Sequence, residues 1–275
     1  MRGRQSLRNA AIALAMVLTW PDPAASMPAE TTDRIDLPAG AFVQGDARGE
    51  PDEAPRPVTV DAFSMMRHEV TNAAFAEFVA ATGHRTSAEI SGSGYVWTNR
   101  WRLVAGADWR HPHGPDDSID GRGDHPVVQV SARDAAAFCA HYGLRLPTDA
   151  EWEFAARGFD GRRYPWGDEL PGQPSDVANF GTEACCAPSD ADGYARTARV
   201  MSYPSGLSPF GFADMAGNVW EWTSSAFPGR PGTVALRGGG WGNNPYCLRV
   251  SYRHENPPDI GLDMVGFRCA GPPAG

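Results

Sequence analysis

The stretch Arg145-Leu-Pro-Thr-Asp-Ala-Glu-Trp-Glu153 is the clearest local signal in the chain. Thr148 stands where a helix N-cap belongs, and Glu151, three residues on, completes a capping box. The helix that follows carries Trp152, Phe154 and Ala155 and stops at Gly158. The same grammar recurs upstream. Ser131 with Asp134 opens a second helix, which carries Phe138, Cys139 and Tyr142 and ends near Gly143. A third starts near Thr71, buries Phe75, Phe78 and Val79, and ends at Gly83. Leu37–Val43 reads as a strand with a turn inside it, and Val58–Phe63 alternates in the strand period. Beyond Gly158 the chain reads as turns and short extended pieces, punctuated by Tyr164-Pro-Trp-Gly167, Gly217-Asn218 and Arg237-Gly-Gly-Gly240. The expected architecture is α+β: a single irregular, loop-rich domain over residues 37–275, after a flexible lead-in at 27–36.

Composition supports that reading. Glycine (31), proline (24) and tryptophan (9) are abundant, which argues against a helical bundle. The net charge is −9 and no Lys/Arg cluster interleaves with aromatics, which argues against a nucleic-acid partner. At the start, Arg2, Arg4 and Arg8 precede the apolar run Ala10–Trp20 and the small residues Ala24-Ala25-Ser26. Residues 1–26 therefore read as a cleaved signal peptide, giving a periplasmic or secreted monomer with no stable membrane insertion. Export permits disulfides, and the five cysteines (Cys139, Cys185, Cys186, Cys247, Cys269) leave at least one without a partner in the chain.

Eight segments in order resemble the formylglycine-generating enzyme (sulfatase-modifying factor) family. They are Leu37-Pro-Ala-Gly40, His68-Glu-Val-Thr-Asn72, Gly106–Asp116, Asp124-His-Pro-Val127, Arg145–Glu153, Tyr164-Pro-Trp-Gly167, Gly217-Asn-Val-Trp-Glu-Trp222 and Gly266-Phe-Arg-Cys269. The resemblance implies an elaborated C-type-lectin-like fold. It implies an oxidoreductase acting on a peptide or small molecule in a surface groove bordered by Trp97, Trp101, Trp109, Arg110, Trp241 and Asn243. Trp152, Trp166, Trp220 and Trp222 are expected to fill the core.

Two structural calcium sites are also implied, since calcium takes carboxylate, amide and carbonyl oxygens. One would use Asn179, Asp192 and the carbonyls of Phe180 and Tyr194. The other would use Asp214, Glu221 and the carbonyls of Gly217 and Val219. Spacing alone would make these the acids of solvated turns. The resemblance further implies a Cys139–Cys269 disulfide.

The chain departs from the family at its chemistry. Enzymatic members hold copper(I) between two cysteines, as suits a soft ion. Here Asn243 takes the first cysteine's place, and Cys247 falls within a residue of the second. Copper is therefore doubtful, and Cys247 is the remaining catalytic candidate. It is expected to bridge Cys185 or Cys186, or else to share a rebuilt thiolate site with one of them. His113 is an alternative metal ligand that reads better as structural. Three functions stay open: an oxidoreductase with altered chemistry, an inactive calcium-stabilised binding module, and a maturation factor for a secreted peptide or siderophore.

Overall fold

The structure, a computed structural model, describes residues 29–172, 175–182, 186–187, 189–191 and 193–274. The expected signal peptide, Asp192 and Cys185 lie outside the described residues.

The three expected helices form where their caps place them. In α2 (Asn72–Thr82) the Thr71 hydroxyl accepts from Ala74 N, and Gly83 ends the helix in the left-handed region at φ 68°. Capping boxes open α4 (Ala132–His141) and α5 (Asp149–Arg157). Arg145 adds a two-pronged pair to the α5 box, reaching Glu151 at 2.6 and 2.7 Å. Two further helices precede α4: α1 (Ala29–Thr32) and α3 (Ser87–Ser91), the latter with its own Thr86/Glu89 box.

Three corrections concern the strands. The expected lead-in is partly folded: β1 (Arg34–Leu37) pairs with β4 (Phe63–Met66). The alternating run at 58–63 is divided, because β3 (Arg56–Val60) pairs with β2 (Gly40–Gln44) before the chain turns into β4. The half beyond Gly158 contains a four-stranded sheet, β10-β7-β8-β9, built from Val265–Gly266, Trp220–Ala226, Val234–Arg237 and His254–Asn256. A separate hairpin, β5 (Ser93–Trp97) and β6 (Trp101–Ala105), stands in front of that sheet, with Tyr95 N bonding Gly261 O at 2.9 Å. The last strand, β11 (Ala270–Gly271), adds to β4.

The Cys139–Cys269 disulfide is present, tying the end of α4 to the approach to β11 with Cα atoms 5.6 Å apart. Around it Phe75, Phe78, Phe138, Trp109 and Phe267 pack ring against ring at 5.2–6.4 Å. Each such fully buried ring contributes roughly 1.5–3 kcal/mol from removal of apolar surface.

A second, ionic layer lies behind β8. Buried Arg237 meets both Glu153 and Asp149. Arg253 meets Asp149 at 2.9 Å, and Arg249 grips Glu53 through two 2.9 Å bonds. Burial alone would raise the Asp149 carboxyl, yet the Arg237 and Arg253 guanidiniums hold it below its ordinary range.

Candidate active-site groove

The groove is built on the glycine turn after β8. Gly238 and Gly239 take φ of 97° and 76°, which side-chain-bearing residues rarely adopt. Gly240 and Gly242 are glycines for space. A Cβ on Gly240 would sit 2.5 Å from Met264 Cγ, and one on Gly242 would sit 2.8 Å from Cys186 Cα. Asn243 closes the turn. Its Oδ1 accepts from Gly240 N at 3.1 Å and from Trp220 Nε1 at 2.9 Å. The residue standing in a cysteine's place is thus a turn lock whose oxygen is already engaged.

Over this turn opens a cavity of about 620 Å³. Tyr95 and Trp101 from the front hairpin form one wall; Trp220, Tyr252, Met264 and Val265 form another. Cys186, Asn243 and Cys247 line it as well, while exposed His254 and Pro257 mark its mouth. Cys247 is a buried thiol. Burial pushes its pKa up to about 11, with a hydrogen bond from Tyr252 pulling the other way. The Tyr252 phenol is itself raised, by burial first and by Cys247 second.

The expected Cys247 bridge to Cys186 is not formed: Cys247 keeps its thiol, and Cys186 is committed to a disulfide of its own. Cys186 N and Ala187 N instead both donate to Gly242 O, at 2.7 and 3.0 Å.

The tryptophans divide differently from expectation. Trp109 and Trp241 are 2% and 0% exposed; they are core residues, not groove residues. Arg110 stacks on Trp109 at 4.1 Å and pairs with Glu89 at 2.7 Å, which pins α3 rather than bordering the cavity. Trp97 is half-buried and supports the wall from behind, edge-on to Trp101 at 5.5 Å. Trp101 lines the cavity as expected, while Trp220 is buried in the core as expected and also reaches the cavity lining. Trp152 and Trp222 are fully buried. The missed wall residues Tyr95, Tyr252 and Met264 carried no motif. Only the pairing of β5 beside residue 262 and of β10 with β7 brings them together.

His113 binds Asp117 at 2.7 Å, and burial, then the Arg196 charge, lowers its pKa to about 4. It lies outside the cavity lining, and among the described residues no three His, Cys, Asp or Glu side chains group to hold a metal.

The two expected cation sets differ. Asn179 is 1% exposed; its amide nitrogen donates to Arg196 O at 2.7 Å, and its buried Oδ1 has no hydrogen-bond partner among the described residues. An orphaned amide oxygen is a donor that fits calcium. Phe180 is buried beside it, and Tyr194 is half-buried against His125. In the second set, Asp214 Oδ2 accepts from Met201 N at 2.7 Å. Gly217 has no room for a side chain, since a Cβ would lie 2.2 Å from Asn179 O, and Val219 is buried. Glu221, however, is already engaged at both oxygens. Arg268 holds both its oxygens at 2.7 Å, and Trp152 Nε1 adds a bond at 2.9 Å. Among the described residues Glu69 Oε2 is a buried carboxylate oxygen with no hydrogen-bond partner, and sequence reading did not single it out. Burial, then the neighbouring Asp214, raises Glu69 well above its ordinary pKa. Of the first set the Asn179 oxygen is open to a cation, while Asp192 lies outside the described residues; in the second set Glu221 is engaged by Arg268. A two-thiolate copper site does not fit this cavity, because one sulfur is in a disulfide and the Asn243 oxygen is engaged.

Fold and site together define an irregular α+β protein with an aromatic, thiol-bearing groove over a glycine turn. The chain belongs to the sulfatase-modifying factor enzyme 1-like domain family, whose model matches residues 21–272. It is 42% identical to the formylglycine-generating enzyme of Streptomyces coelicolor, over 91% of this chain and 92% of that one. It is 37% identical to the inactive C-alpha-formylglycine-generating enzyme 2 of Bos taurus, over 88% of each. The structure of PvdO from Pseudomonas aeruginosa superposes with a TM-score of 0.69 at 26% identity, covering 87% of this chain and 94% of that one. Among the described residues no helix is long and apolar enough to cross a membrane.

Proposed function

We propose that this chain is an exported oxidoreductase-type modifier of a peptide or thiol substrate, working in the groove with chemistry that differs from the two-cysteine copper reaction. The observation that carries the reading is the Cys247 thiol facing an aromatic cavity of about 620 Å³ in a chain so similar to formylglycine-generating enzymes. The aromatic walls would exclude water and seat an extended peptide or flat group. Tyr252 would orient the thiol, and Asn243 would hold the turn beneath it. A structural calcium ion at the Asn179 set would fix loops that no sheet ladder holds.

The test is mass spectrometry of cysteinyl peptides after incubation with the purified chain, oxygen and reductant. The expected result is a mass change that is lost in Cys247→Ser. A Cys-x-Pro-x-Arg peptide is expected to stay unconverted even with copper(I), because a single thiolate holds that ion poorly. Robust conversion of that peptide would overturn the altered-chemistry reading. Peptide binding with no mass change on any substrate would favour a second reading, a binding module of the same fold. The similarity to a relative named as inactive supports that second reading.

A further inference from the structure

The front hairpin is held to the rest of the molecule in two ways. At Tyr95 the hold is backbone: Tyr95 N donates to Gly261 O at 2.9 Å, and Asp263 N donates to Tyr95 O at 3.0 Å. At Trp97 side chains take over. Trp97 N donates to Asp263 Oδ2 at 3.1 Å, Arg196 Nη2 donates to Trp97 O at 3.1 Å, and Arg196 Nη1 meets Asp263 Oδ2 at 2.6 Å. One ion pair thus grips both backbone polar groups of Trp97, which stands opposite Trp101 in the β5–β6 register. Tyr95 and Trp101 are the cavity's front wall.

The grip is anchored on a carboxyl in an adverse place. The Asp263 side chain is 0% exposed, and its other oxygen, Oδ1, is buried with no hydrogen-bond partner among the described residues. Asp263 borders a second, minute cavity of about 10 Å³, the space of about one water. Asn72 borders it too, and its buried Oδ1 also lacks a partner among the described residues. Two acceptor oxygens on one small space suit a carboxyl that keeps its proton, because the proton supplies a missing donor. The charged carboxylate has Arg196 alone as a close cation, and Arg196 is 31% exposed and shared with Trp97 O and the face of Trp241. The other charged groups facing Asp263 come from one loop. His113 Nε2 is 3.8 Å from Asp263 Oδ2, Asp117 is 2.7 Å from the far side of His113, and Arg122 is paired to Asp117. From β5 and the glycine turn come Trp97 N and Trp241 Nε1, which do not titrate.

We propose that Asp263 and Arg196 form an ionisation-driven gate on the groove: while the Asp263 carboxyl is neutral the front hairpin stays docked, and when the carboxyl ionises the hairpin loosens and opens that side of the cavity. Burial raises the Asp263 carboxyl to about 7, with the Arg196 charge and the Trp97 amide pulling the other way. A carboxyl raised by docking supports the docked hairpin fully below its ordinary 3.8, and that support is lost as pH rises through about 7. Loosening lets water reach the carboxylate and removes the burial cost. The ratio of loose to docked hairpin therefore rises about tenfold per pH unit above about 7, the slope of one proton. His113, with its pKa of about 4, stays neutral throughout that window.

The test is hydrogen exchange by mass spectrometry on the purified full-length chain from pH 6 to pH 9, with each rate divided by the intrinsic rate at that pH. Protection of residues 93–105 is expected to hold to about pH 7 and then to fall about tenfold per pH unit, while α4 stays protected. In Asp263→Asn the hairpin should keep its acid-side protection over the whole range. Arg196→Gln removes the cation that favours the charged carboxyl, so the onset of loosening should move to higher pH, whatever the starting level. A pair with a structural role only would instead lose protection equally at every pH. His113→Gln should leave the onset in place. Flat protection in the native chain would overturn the proposal. So would an undiminished fall in Asp263→Asn, an onset that stays or moves down in Arg196→Gln, or a fall abolished by His113→Gln. Protection of α4 in each variant separates local opening from unfolding. The readout needs no substrate, so it stands or fails independently of peptide conversion in the groove.

Discussion

The ionic layer behind β8 and the cavity in front of the glycine turn are a few residues apart in sequence and opposite in character. Behind, Arg237, Arg249 and Arg253 meet Glu53, Asp149 and Glu153, and buried charge faces opposite charge throughout. In front, the walls are aromatic and the one reactive thiol is held in its neutral form by burial. The first region uses charge to fix where the turn stands. The second keeps charge away so that a bound group meets apolar surface. A loop-rich protein needs both, because its turns are set by side chains rather than by ladders.

The strongest way to break this contrast is to remove one guanidinium. Arg237→Ala leaves buried Glu153 and Asp149 without their partner and should cost about 3–5 kcal/mol in urea melts. A loss below about 1 kcal/mol would mean that the layer is not structural. Calcium comes next. A ligand held only by the folded chain at a hundred times its Kd stabilises it by about 2.7 kcal/mol. Chelator should therefore lower the melting temperature, and Asn179→Ala should lower it equally and abolish the response to chelator. Identical melting with and without chelator would remove calcium from the account. A cavity-wall change should be milder still. Trp101→Ala is expected to cost no more than about 1 kcal/mol, because that side chain is half-buried and its main partner is Trp97. Its effect should appear in ligand binding instead.

The smallest effect is on pH. The Cys247 pKa is raised in the fold, from an ordinary 9.0 to about 11. Its favourable contribution is therefore complete below pH 9 and lost as pH rises through about 11. Alkylation of Cys247 in the native chain should climb about tenfold per pH unit over that window. Half-reaction near the ordinary thiol pKa would show that the thiol is exposed rather than buried.

What could be read beforehand was local. Thr71, Ser131 and Thr148 announce their helices because a cap and its partner lie within three residues. The four-stranded sheet could not be read, since β10 meets β7 across 38 residues (227–264) whose two short strands are set in turns. Site residues divide along the same line. The turn at Gly217-Asn218 was legible as a tight carbonyl-presenting bend, but nothing near Glu221 in sequence reveals that Arg268 fills its carboxylate. Trp109 sits in a bend and Trp220 at the first position of β7, and neither has a sequence periodicity to orient it. Both are buried, one against Phe75 and the other anchored through its ring nitrogen to the Asn243 oxygen beside the cavity. That partner is distant in sequence, so its effect could only be seen in three dimensions.

The pairing of β4 with both β1 and β11 has a consequence for how the chain is made. Its central strand receives one neighbour from residue 34 onward and the other only from residue 270, and the Cys139–Cys269 link closes nearby. A chain emerging N-terminus first cannot finish that sheet until residues 270 and 271 are released. Contacts this distant in sequence slow folding and leave hydrophobic edges exposed meanwhile. The nascent domain must therefore wait, its central strand bordered on one side and open on the other, for residues 270 and 271 to arrive.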